Sequence, residues 1–279
     1  MRIAPPRSYT DGPAPRQSHP LSHIRLMCSV VFLRRLGHAW PLLIAANRDE
    51  MKNRPWRPPA RHWPDRAEAT AGLDELANGT WLGVNDHGLV SGILNRPGTL
   101  GPAAGLRSRG ELPLEALDHA DAASAAQALK ALDGKAWRPF NMFVADDRDA
   151  FWLRSLGDHG DGRVQVMTIP PGLSMLTAHD LNHTESARID FYLPRFRAAD
   201  VPDPDKGDWR AWEALLASRE SEPGAGEHGA MNIATDRGFG TTSSSLIALP
   251  LITGPAPRKP IWRFGSGHPD TVHFSDVKL

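Results

Sequence analysis

Apolar residues along the chain fall into short clusters bounded by Gly, Pro and charge, and most clusters are strand-sized. Residues 28–33, Cys-Ser-Val-Val-Phe-Leu, and residues 40–46, Trp-Pro-Leu-Leu-Ile-Ala-Ala, are two such runs. Their β-branched and continuously apolar character predicts buried strands, and Gly37-His38 between them suits a hairpin turn. Asn47-Arg48-Asp49-Glu50 follows at once and reads as the polar exit of the second strand. Four prolines at 55, 58, 59 and 64 predict irregular chain over 51–70. Alternation returns over 79–85 and 88–95, flanking Asp86-His87, a second hairpin. Helical patterns cover 109–119 and 121–132, with Gly134 as a stop. Strands are expected at 140–146, 150–156, 163–169 and 172–178, and helices at 184–198 and 208–219. A polar linker at 220–229 leads to closing strands at 243–249, 259–264 and 271–276. Strands at both ends with helices between them predict one layered α+β domain over 27–279.

Composition narrows the class. The chain has 279 residues, 41% hydrophobic and 23% charged, which is enough for a sizeable core. Lys plus Arg and Asp plus Glu are both 32, so no basic surplus points to nucleic acid. No apolar run approaches the ~18 residues of a membrane helix. One cysteine forms no internal disulfide and fits a reducing, cytoplasmic setting. Residues 1–26 are rich in Pro, Arg, Ser and His, lack an apolar h-region and read as a disordered tail or a misassigned start, with Met27 the start expected.

Three groups carry candidate chemistry. Cys28 in an apolar strand is ordinarily a small buried hydrophobe. It also follows Met27 directly, and removal of that Met would leave an N-terminal cysteine. The α-amine of such a residue, with a reference pKa of about 7.7–8.0, can serve as base for its own thiol. Arg48 is the second candidate. A turn at 37–38 makes residues equidistant from it pair across the strands, which places Arg48 beside Cys28 and its charge beside the sulfur. Asn95, at the end of the second hairpin, is either a turn residue or an oxyanion donor. His179, Asp180, His183 and Glu185 would share a helix face as a metal pair, but Asn182 and Thr184 read better as helix caps, so no metal is expected. Twelve histidines make any choice of a haem axial ligand uninformative.

Met27-Cys28, Ala45-Ala46-Asn47-Arg48-Asp49-Glu50, Asn78-Gly79-Thr80-Trp81-Leu82-Gly83, Asn95, Arg109-Gly110-Glu111-Leu112, Phe140-Asn141 and Gly240-Thr241, in this order, resemble the NRDE family of transport and Golgi organisation 2-like proteins. The segment from Trp81 to Asn95 is also similar to the choloylglycine hydrolase and penicillin V acylase family. The resemblance implies a four-layer αββα sandwich of the N-terminal-nucleophile hydrolase type. It implies Cys28 as nucleophile and base, Arg48 and Asp49 beside it, and Asn95 at the oxyanion. Asn47, Trp81 and Asn141 are the implied substrate contacts. The substrate implied is a non-peptide amide or acyl group, without a cofactor; the alternative is a carrier of haem or an acyl-CoA lipid. Three positions depart from the pattern: Met51 stands where the acylases have Asp, Ala178 where they have Asn, and Thr242 where NRDE relatives often have Arg.

Overall fold

A computed structural model describes residues 28–252 and 258–279. The expected tail and Met27 lie outside the described residues. The first hairpin is β1 (Ser29–Arg34) and β2 (Leu42–Met51), antiparallel, with Val31 opposite Ala45 and Ser29 opposite Asn47. That register is the one expected from a turn near 37–38. The next elements are β3 (Trp56–Ala60), β4 (Ala69–Asp74), β5 (Leu82–Asn85) and β6 (Val90–Asn95). Helices α1 (Glu111–Leu117) and α2 (Ala122–Lys130) follow, then β7 (Phe140–Ala145), β8 (Ala150–Ser155), β9 (Gln165–Thr168) and β10 (Gly172–Leu176). The described chain closes with α3 (Ala187–Ala198), α4 (Arg210–Ala217), β11 (Phe239–Leu249), β12 (Ile261–Ser266) and β13 (Ser275–Asp276).

The strands form two antiparallel sheets. One has the order β10-β1-β2-β11-β12-β13 and the other β3-β4-β5-β6-β7-β8-β9. Period-two alternation decides what each face buries. Val30, Phe32, Leu42, Ile44 and Ile247 from the first sheet meet Leu82, Val84, Val90, Leu94 and Phe143 from the second in a common interior. Val31, Leu33, Leu43, Ala45, Leu246 and Ala248 turn the other way and pack on Tyr192, Phe196, Trp212 and Leu216 of α3 and α4. Met142, Val144 and Leu153 of the second sheet pack on Leu112, Leu117, Ala125 and Leu129 of α1 and α2. The result is four layers, helix–sheet–sheet–helix, the αββα sandwich.

Two expectations need correction. Residues 51–70 are not wholly irregular: β3 runs through Pro58 and Pro59. It is an edge strand with a register break between Arg57 and Ala60, where a missing N–H costs nothing. The Asn-Arg-Asp-Glu segment is not the exit of β2 but lies within its second half. It is paired on both sides, because β11 begins at Phe239, four residues earlier than expected, and covers it.

Candidate functional site

Alternation along β2 splits the tetrapeptide. Ile44 and Ala46 face the interior between the sheets, so Arg48 and Glu50 do too, whereas Asn47 and Asp49 follow Leu43 and Ala45 toward α3 and α4. Cys28 precedes Ser29, the partner of Asn47, and therefore lies across from Arg48 on the interior face. Its sulfur is held by the backbone of Asp49: the Asp49 N–H donates to Sγ at 3.4 Å, and the thiol donates to the Asp49 carbonyl at 3.6 Å. Burial, followed by the charge of Asp49, pushes the thiol up to about 12, against the pull of the Asp49 N–H and of Arg48. At neutral pH the sulfur therefore carries its proton.

Cys28, Val30, Ala46, Asn47, Arg48, Trp81, Leu82, Ile93, Leu94, Phe143, Ser243 and Ser245 border a narrow cleft between the sheets. Its volume is about 20 Å³, close to the ~10–15 Å³ that one water needs. Arg48 lies 4.3 Å over the Trp81 ring, donates to Thr242 Oγ1 at 3.2 Å, and approaches Asp74 at 3.5 Å and Glu50 at 3.7 Å. Trp81 can lie flat here because position 72 is Gly: a Cβ there would sit 2.3 Å from the indole. The Asn78-Gly79-Thr80 segment sets the strand entry. Asn78 has a left-handed φ of 51°, and a Cβ on Gly79 would come within 2.6 Å of the Gly110 backbone. Two motif segments thus cross in close backbone contact, with the Thr80 N–H donating to Gly110 O at 2.9 Å.

The other face of β2 is closed. Asn47 donates through Nδ2 to Leu216 O at 2.9 Å and Met231 O at 3.0 Å, and its Oδ1 accepts from Ser244 at 2.6 Å. The Asp49 carboxylate accepts from Arg188 at 2.9 Å and from Thr241 at 2.6 Å. Arg188 also donates to Ser29 Oγ at 2.8 Å. Burial pushes the Asp49 carboxyl up, while Arg188 and Thr241 hold it down.

The expected site residues therefore divide. Cys28, Arg48 and Trp81 come together in the cleft. Asn47 borders it, but its amide is turned to the helix layer. Asp49 acts on the sulfur through its backbone and its charge, not as a group inside the cleft. Asn95 pairs with Phe140, shares that residue's outward face and does not border the cleft, so the oxyanion role expected for it is not met by its position. Asn141 faces the interior, yet both its donors go to Thr177 O and His179 O, and its Oδ1 accepts from Arg96 and Trp152. An amide has no further capacity, so Asn141 pins the exit of β10 and is not free to meet a substrate. Ala178 is fully buried at that exit. Thr242 sits at a β-bulge, its hydroxyl on Arg48.

His179, Asp180, His183 and Glu185 lie in loop, not on a helix: α3 begins at Ala187, capped by Ser186. Asp180 is committed to Arg96 and Arg154. Among the described residues no three His, Cys, Asp or Glu side chains group to hold a metal ion. The residues not foreseen are Arg188, Ser243 and Ser245, and Thr241 enters from the sequence only within a motif, without a role. Arg109, part of a quoted motif, is a further one: it lies within electrostatic reach of Cys28, and burial, reinforced by Arg138, pulls it down to about 10. Its guanidinium holds Thr99 and Pro139 O.

Two facing antiparallel sheets between helix layers, with a cysteine beside an arginine at the start of a central strand, define a four-layer αββα sandwich. Residues 27–193 match the family Transport and Golgi organisation 2, and the chain belongs to that family. It is 36% identical over 115 residues to the Transport and Golgi organization 2 homolog of Mus musculus. That match covers 39% of this chain and 40% of the mouse protein, so the chain spans well under half the length of this relative. Among solved structures it is similar to penicillin V acylase from Agrobacterium tumefaciens, with TM-score 0.46 and 13% identity over 90% of this chain and 86% of that one. It is also similar to a variant of conjugated bile acid hydrolase from Clostridium perfringens, with TM-score 0.47 and 11% identity over 90% and 97%. Among the described residues no helix is long and apolar enough to cross a membrane.

Proposed function

We propose that the protein is an N-terminal-cysteine hydrolase acting on a small non-peptide amide or acyl group, once the residues before Cys28 are removed. The observation that carries this reading is the position of Cys28: a sulfur on the interior face, across from Arg48, at the border of the cleft. The freed α-amine takes the thiol proton as sulfur bonds to the carbonyl carbon. The carbon–nitrogen bond then breaks, and the ammonium returns the proton to the leaving amine. Water hydrolyses the thioester, releasing the acid and restoring the thiol. Asn95 does not border the cleft, so in this reading the oxyanion is met by Arg48, whose guanidinium has donors beyond the one given to Thr242. The setting is cytoplasmic, and nucleic acid has no part in it.

Intact mass of the native protein tests the premise, and Cys28→Ala tests the chemistry. A chain beginning at Cys28, with turnover of acyl amides abolished by Cys28→Ala, is the expected result. A retained leader or undiminished turnover in the variant overturns it.

A second reading, a carrier of an acyl thioester or of haem, is favoured by the setting of the thiol, which is held by the Asp49 backbone and pushed up by burial. Haem does not fit the residues here. No His or Met borders the cleft, and burial holds the Cys28 thiol there away from the thiolate that would bind iron. The acyl thioester is the form of this reading that the cleft supports. Retention of acyl-CoA by the purified chain, without turnover, would favour it over hydrolysis.

A further inference from the structure

Residues 241–245 of β11, Thr-Thr-Ser-Ser-Ser, form five consecutive hydroxyls in a strand that is buried throughout and paired on both sides. Central strands are ordinarily apolar, so each hydroxyl needs a partner. Three have one in the tetrapeptide of β2: Thr241 donates to Asp49, Thr242 accepts from Arg48, and Ser244 donates to Asn47. Ser243 and Ser245 do not. They are 1% and 2% exposed, and among the described residues neither hydroxyl makes a hydrogen bond. Both border the cleft that holds Cys28. Their direction is fixed by register: Ser243 is opposite Arg48 and Ser245 opposite Ala46, and both follow Ile247 and Leu249 into the interior.

Neither hydroxyl is sealed in the interior; both open on the cleft, and side by side they present donors and acceptors to a group that enters it. We infer that Ser243 and Ser245 are specificity residues that recognise a neutral hydrogen-bonding group on the acyl part of the substrate. The inference rests on the hydrolase reading for the position of the scissile bond, but not on its chemistry. Two strand spacings, about 10 Å, separate the row of Cys28 from β11. A group on the serines therefore lies a few bonds beyond a carbonyl placed at the sulfur. It is neutral, because among the described side chains that border the cleft the one charged group, Arg48, is already flanked by Glu50 and Asp74. The remaining walls, Val30, Ala46, Leu82, Leu94 and Phe143, are apolar and suit a hydrocarbon body. The substrate class is a short acyl amide bearing a hydroxyl or oxo group, in preference to a plain one.

The test uses the full-length Cys28→Ala chain, calorimetry, and two probes: the para-nitroanilides of beta-hydroxybutanoic acid and of butanoic acid. The hydroxylated probe is expected to bind about tenfold more tightly, the worth of a neutral hydrogen bond or two. Adding Ser243→Ala and Ser245→Ala should erase that difference while leaving the plain probe's affinity within about twofold. The serine variants should melt no lower than their parent, since each removes an unpartnered hydroxyl. Equal affinities in the parent, no binding of either probe, or a preference that survives both substitutions overturns the inference. Turnover of the same anilides by the native chain is scored separately: binding preference without turnover removes the hydrolase reading and leaves the serines' role standing.

Discussion

Asn47 and Asp49 face α4 and α3, and Arg48 and Glu50 face the interior between the sheets, although all four are consecutive in one strand. On the helix side every hydrogen-bonding position of the Asn47 amide is engaged except one acceptor site, and the Asp49 carboxylate lies between Arg188 and Thr241. On the interior side Arg48 has one side-chain hydrogen bond and two longer ionic contacts. The same tetrapeptide thus does two jobs, and alternation separates them: odd positions lock β2 to the helix layer, and even positions shape the cleft. A motif of four polar residues need not be four site residues, because a strand presents only every second one to any given space.

The largest effect should come from breaking the helix side. Arg188→Met leaves the Asp49 carboxylate buried without its cation, and a loss of about 3–5 kcal/mol is expected by urea denaturation. Adding Asp49→Leu should recover most of that loss; no recovery would mean that the pair is not what holds β2 to α3.

A smaller effect follows from Cys28 and pH. The thiol is raised from 9.0 to about 12, so the folded chain holds this proton more tightly than the unfolded chain. The stabilisation is complete below pH 9 and is lost as pH rises toward 12. The stability of the native chain relative to Cys28→Ala should fall by up to about 1.4 kcal/mol per pH unit above pH 9. Parallel melting curves for the two chains between pH 7 and 11 would contradict this. Iodoacetamide should also alkylate the native thiol far more slowly at pH 8 than it alkylates the denatured chain.

The smallest stability effect belongs to the interior side. Arg48→Gln should cost only about 1 kcal/mol, because Asp74 keeps Arg54 at 2.6 Å. It also removes the cation that lowers the thiol, so alkylation should slow further, and under the hydrolase reading turnover should be lost. A stability loss as large as that of Arg188→Met would erase the contrast between the two faces.

Much of this arrangement was legible in the sequence. The register of β1 against β2 followed from two apolar runs about a short turn, and it placed Cys28 beside Arg48. The outward face of Asn95, against the oxyanion role expected for it, follows from the structure, where Leu94 faces the interior. That Asn141 is saturated was not legible, since two of its partners are carbonyls of a loop more than thirty-five residues away. Arg188 was hidden by distance, 139 residues from Asp49, and its position inside the buried face of α3 was the only signal. The serines were hidden for another reason. A run of five hydroxyls has no apolar alternation to orient it, and the bulge at Thr242 shifts its register against β2.

Local pattern alone determined the strand–helix order, the two-sided burial of the central strands and the neighbourhood of the cysteine, because these depend on spacing within one or two elements. Tertiary structure decided which polar residues are satisfied and which are left facing the cleft. That distinction depends on what strands and helices far apart in the chain bring to each donor and acceptor, and a hydroxyl with a partner is written with the same letter as one without.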